Sequence, residues 1–133
     1  PHFNADILGE YLAEHDIALS RNAGLTGRRN VSKDIPFEVN AWWQNRSFHN
    51  YADHALSDEF HAALTELVDL GAQVATAVMC SEAVWWRCHR RIIADYLLIH
   101  KHQVAHIMGP GQLMSAELSD GAVAQADGTI HYA

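Results

Sequence analysis

Cys80, Glu82, Cys88, His89 and Arg90 stand within one eleven-residue stretch, and both cysteines of the chain are among them. Arg87 lies in the same stretch and Arg91 follows it directly. A thiol is a nucleophile or metal ligand only as the thiolate. Nearby guanidinium groups and a helix N-terminus favour that form over a free thiol of pKa about 8.5. Four chemistries fit these residue types. Cys80 can be a thiolate nucleophile facing an anionic or electrophilic substrate. Cys80, Cys88 and His89 can hold zinc, with Glu82 able to join. The two thiols can form a reversible redox pair. The stretch can also bind a ligand without covalent chemistry, or be structural, Glu82 pairing with Arg87 or Arg90.

Spacing tests each of these. Thiol phosphatases place five residues between cysteine and arginine, whereas Cys80 and Arg87 have six between them and no glycine in the loop. Glu82 would also repel a bound phosphate. Seven residues separate the cysteines, which matches neither a common structural zinc pattern nor Cys-x-x-Cys. The non-covalent and structural readings therefore carry the greatest weight.

The elements around the stretch set its geometry. Val74–Met79 is apolar at nearly every position, the pattern of a strand buried on both faces. From Cys88 to His100 the period becomes helical, through Ile92, Ile93, Tyr96, Leu97 and Leu98. Val104–Met108 reads as a further strand, which together makes a right-handed βαβ crossover. Cys80 would then sit at a strand's carboxyl end, where open α/β sheets gather ligands, facing the amides of the next helix.

The rest of the chain supplies the frame. Ile7, Leu8, Tyr11 and Leu12 form a helical stripe after Asn4, a candidate cap. Ile17–Leu19 reads as a short strand. Arg21–Asn45 lacks a period and holds Gly24, Gly27 and Pro36, so it is a long loop. Ser47–Leu56 is a helix. Ser57 caps a second one, with Asp58 and Glu59 at its positive end and Gly71 as a stop. Gln112–Leu118 reads as a helical turn. Val123–Ala126 and Thr129–Tyr132 form a hairpin about Asp127-Gly128, a type I′ pair.

A chain of 133 residues, 49% hydrophobic and 19% charged, is one globular domain spanning 1–133. It has no apolar run of about 18 residues to cross a bilayer, and no basic-then-apolar leader, so a cytoplasmic location with reduced thiols is expected. A net charge of −7 disfavours extended duplex nucleic acid while allowing a local cationic pocket. Most of the ten histidines are scattered and read as surface residues. Trp42-Trp43 and Trp85-Trp86 near Arg46 and Arg87 allow base stacking on a single-stranded or splayed nucleotide, although one tryptophan of each pair should be core.

These residues resemble a known family. Met79-Cys80-Ser81-Glu82 followed by Cys88-His89-Arg90 is similar to the signature of the YeaO-like proteins, domain of unknown function 488. So are Pro1-x-Phe3, Leu25-Thr26-Gly27-Arg28-Arg29, Asn45-x-x-Phe48-x-x-Tyr51-Ala52 and His106-Ile107 with Gly109-Pro110-Gly111. Thr26 stands where that family usually has glycine. The resemblance implies an α/β fold with the Cys80–Arg90 loop at its pocket, an upstream strand and helix that this sequence does not include, and no assigned activity.

The expectation is an α/β domain with a small, mostly parallel sheet flanked by helices in three layers, a C-terminal hairpin and its first strand missing. Cys80 would be the reactive thiol, Glu82 its acid/base partner and His89 a proton carrier. Arg28, Arg29, Arg46, Tyr51, Arg87, Cys88 and Arg90 would bind a small anionic or nucleotide-like ligand. Cys80, Cys88 and His89 are the ligands if a metal is present. No cofactor and no oligomeric state is indicated.

Overall fold

Helices form where the sequence caps them. In the computed structural model, which describes residues 5–27, 29–79 and 88–133, Asn45 accepts through its side chain from the amides of Ser47 and Phe48 and opens α2, Arg46–His54. Ser57 accepts from Phe60 N and opens α3, Asp58–Gln73, with Asp58 and Glu59 in the first turn. These caps answer orphan amides, and the acids suit the positive end of the helix dipole. Gly71 does not stop α3. Two further helices, α1 (Ala5–Ala13) and α4 (Arg90–Ile99), complete the helical part described. The long loop holds two 3₁₀ turns, Ala23–Leu25 and Phe37–Asn40.

The expected three-layer arrangement with a mostly parallel sheet is not what forms. Val74–Met79 belongs to no strand, and Val74 and Met79 are more than half exposed. The described residues contain two separate antiparallel pairs instead: β1 (Ala105–Gly109) with β2 (Gln112–Ser115), and β3 (Ala122–Ala124) with β4 (Ile130–Tyr132). A short apolar run is ambiguous without a partner strand beside it, and here the strand after α4 finds its partner locally. Pro110-Gly111, with Gly111 at φ +70°, reverses the chain directly. That turn makes β1 and β2 neighbours, so Gln112–Ser115 is a strand rather than a helical turn, and the described residues contain no βαβ crossover. Ile17–Leu19 is not a strand either.

The second hairpin falls where Asp127-Gly128 places it, with Ala122 opposite Tyr132. Its turn differs from type I′. Gly128 alone has a positive φ, +84°, and its amide donates to Gln125 O at 3.1 Å. That is a three-residue loop with the glycine at the bulge. Asp127 Oδ1 accepts from both the amide and the hydroxyl of Thr129, which fixes the corner.

The core lies between α2, α3, α4 and β4. Tyr51, Phe60, Ile92, Tyr96, Ile130 and Tyr132 are its largest closed side chains apart from two polar ones, Asn40 and Asp95. Those polar groups are answered. Asn40 Nδ2 donates to Asp53 Oδ1 at 2.7 Å, and Asn40 Oδ1 accepts from Tyr132 N at 3.0 Å. Asp95 accepts from Ser119 N and from the Tyr132 hydroxyl. No described helix is long and apolar enough to cross a membrane.

α4 ends in a 6→1 bond, His102 N to Leu97 O, and a 5→2 bond, Lys101 N to Leu98 O, with Lys101 at φ +67°. The left-handed position in this cap suits glycine. Lys101→Gly should therefore raise stability by about 0.5–1 kcal/mol, read as a higher urea midpoint at unchanged slope.

Candidate functional site

The N-terminus of α4 gathers the residues of the Cys-His-Arg motif. Cys88 is 5% exposed, and its Sγ accepts from the backbone amide of Arg90 at 3.4 Å and from Arg90 Nε at 3.3 Å. His89 Nδ1 lies 3.5 Å from the same sulfur. The sulfur thus occupies the place of a capping oxygen, with N–H donors directed at it. That arrangement suits negative charge on sulfur.

His89 is held from the opposite side. A Cβ on Gly27 would fall 2.4 Å from its Nδ1, so the glycine lets the 23–27 segment lie flat against the ring. Tyr51 packs on it with centroids 5.0 Å apart and donates its hydroxyl to Leu25 O at 2.7 Å. Burial, then the charges of Arg90 and Arg29, push the His89 pKa below its ordinary value. The imidazole is therefore neutral near pH 7 and able to accept a proton. Gly27→Ala should displace the His89 ring and destabilise the domain by about 1–3 kcal/mol. Histidine ring NMR shifts together with a denaturant melt will check this.

Arg29 reaches the cluster by charge rather than by contact. Its Nη2 donates to Ala23 O (2.8 Å) and Thr26 Oγ1 (3.1 Å), its Nε to Thr26 O, and its Nη1 pairs with Glu59. It straps the 23–26 turn to α3. His54 does the same for Gly24, its Nε2 lying 2.7 Å from that carbonyl. His49 is also packed, 3.0 Å from Phe37 O. Neither histidine is the free surface residue expected from its scattered position.

The structure thus brings Cys88, His89, Arg90 and Tyr51 together, with Arg29 close behind. Arg46 is exposed at the start of α2 and takes no part in these contacts. Cys80, Glu82, Arg87 and Arg28 lie outside the described residues, as do Trp85 and Trp86. Val74–Met79 forms no strand, so the strand end expected to carry the thiol is absent among the described residues. Among the described residues no group of three metal-ligating side chains occurs, and the proposed zinc set depends on Cys80. Trp42 and Trp43 are not a stacking platform. Trp43 is buried and stacked on Phe48, and the Arg91 guanidinium lies over both rings at 5.7 and 5.0 Å.

His106 is named in the resemblance but not among the candidate site residues. On β1 it is 9% exposed, and burial followed by the Arg90 charge pushes its pKa down.

The profile of the domain of unknown function DUF488 matches residues 1–97. The chain belongs to the DUF488 family. No curated protein and no solved structure matches it. The match ends inside α4, so both hairpins of this DUF488 protein lie beyond it, yet Ile130 and Tyr132 from the second hairpin close the core. The Cys-His-Arg cluster and the turn that backs it fall wholly within the matched part.

Proposed function

We propose that this DUF488 domain binds a small anion of the phosphate-bearing or nucleotide class at the N-terminus of α4, with a thiol as its working group. The sulfur of Cys88 supports this reading, because it draws the Arg90 amide and guanidinium to one point beside a neutral imidazole. Arginine suits a phosphate head because its planar fork can donate two N–H bonds at once. In this reading Cys88 orients Arg90, Cys80 is the reactive thiol, Glu82 its acid/base partner, and His89 takes the thiol proton. Cys88 itself is buried.

Thiol alkylation followed by peptide mass spectrometry tests it. Inorganic phosphate or pyrophosphate at millimolar concentration should slow iodoacetamide modification of Cys80, and Arg90→Gln should weaken that protection about tenfold. Unchanged alkylation in saturating pyrophosphate, with no heat of binding by calorimetry, would end this assignment.

A further inference from the structure

A groove of about 660 Å3 lies between α3, residues 74–79, α4 and β1. Its walls are apolar: Leu67 and Val68 from α3, Ile93 and Leu97 from α4. Its polar side chains include Arg90, His102 and His106. No aspartate or glutamate is among its described lining residues, although the chain carries sixteen acids and a net charge of −7. Among the described lining residues the fixed charge is the Arg90 guanidinium, which is complementary to an anionic head. By contrast, the smaller cavity of about 310 Å3 sets Arg29 beside Asp34 and Asp53 and favours neither sign.

We infer that this groove takes an amphipathic anion, a phosphate monoester with an alkyl or aryl body, its head on Arg90 and its body along the α3 and α4 walls. The inference rests on the anion site proposed above, because Arg90 belongs to both places. The contact of Arg90 Nε with Cys88 Sγ orients the guanidinium between the sulfur and the groove. His106 lines the same groove as Arg90, close enough for the arginine's charge to help lower its pKa. The volume lies within the range of clefts that enclose small organic ligands, apolar over most of their lining with a few polar groups fixing one end. A bare phosphate would leave the helix walls unused.

Calorimetric titration of the full chain with decyl phosphate below its micelle concentration, inorganic phosphate and decanol tests this. Decyl phosphate should bind at least about tenfold more tightly than inorganic phosphate, the gain from sheltering a few methylenes. Ala72→Gln, which puts a neutral amide on the groove wall at an exposed position of α3, should reduce that advantage without changing the melting temperature. If phosphate binds and decyl phosphate binds no more tightly, the groove is not the body's site and the inference fails while the anion site stands. Decanol binding as tightly as decyl phosphate would show that the head is not recognised and would also overturn it. If neither phosphate nor decyl phosphate binds, the anion site falls and this inference with it.

Discussion

Tyr132→Ala is expected to cost about 3–5 kcal/mol, the range for removing a large closed aromatic side chain. Against a total of roughly 5–15 kcal/mol for a small domain, that is enough to leave much of the protein unfolded in mild urea. The ring is wholly buried against Trp42 and Trp43, with centroids 6.3 and 5.2 Å away. Its hydroxyl donates to Asp95 Oδ2 at 2.8 Å. Alanine keeps the two backbone bonds of position 132, Tyr132 N to Asn40 and Trp42 N to Tyr132 O. It empties the space beside the tryptophan pair and strips a buried carboxylate of one donor. Tyr132→Phe separates these terms. It keeps the ring and should cost only about 1–2 kcal/mol, the penalty for one unsatisfied buried acceptor. Burial already raises the Asp95 pKa while its bonds from Ser119 and Tyr132 hold it down, so the phenylalanine variant should also move that carboxyl further up. A urea midpoint for Tyr132→Ala within about 1 kcal/mol of the parent would mean that β4 is not docked in the core as described.

How much of this was legible depends on whether the determinant is local. The start of α3 was readable because Ser57 acts on an amide three residues away, whereas α2 was read as a helix without its Asn45 cap. The second hairpin was readable because Asp127-Gly128 marks a corner, though the turn type was not. Asp127 supplies a side-chain acceptor instead of a positive φ. The sheet was not readable. Apolarity of Val74–Met79 states what a segment would bury and not what lies beside it, and pairing is settled by whichever edge comes within reach. Pro110-Gly111 settled it in favour of a local hairpin. The same line divides the site. Cys88, His89 and Arg90 are adjacent in the chain and stayed together. The cushion behind His89, built from Gly27 and Tyr51, is a packing fact: Tyr51, expected to bind a ligand, is buried with its hydroxyl on Leu25 O. The four bonds that commit Arg29 to the protein itself were likewise invisible, since its type and neighbours are equally those of a ligand-binding arginine.

Stability should fall steeply above pH 10. Three of the four tyrosines, Tyr51, Tyr96 and Tyr132, are at most 1% exposed. Burial is the first cause that raises each phenol above its ordinary value, and for Tyr132 the neighbouring Asp95 charge adds to it. The folded state therefore keeps protons that the unfolded chain releases near pH 10. Stability is fully present below that pH and is lost as pH rises through it. Each phenol contributes about 1.4 kcal/mol per pH unit, so about 4 kcal/mol is lost by pH 11. On the acid side the sign reverses in a different residue class. His54, His89 and His106 have lowered values, led by burial in each case. They remain neutral in the fold while the unfolded chain takes up protons near pH 6.5, so stability declines as pH falls below that point. Asp95 works against this decline, since the cost of its buried charge is relieved as it gains a proton. The discriminating measurement is phenolate absorbance recorded with far-ultraviolet circular dichroism during an alkaline titration. Tyr11, 59% exposed, is the phenol open to solvent, and the other three should ionise only as ellipticity is lost. Absorbance that climbs through the full tyrosine complement while the helices persist would mean that the three rings are not sealed in the core between α2, α4 and β4.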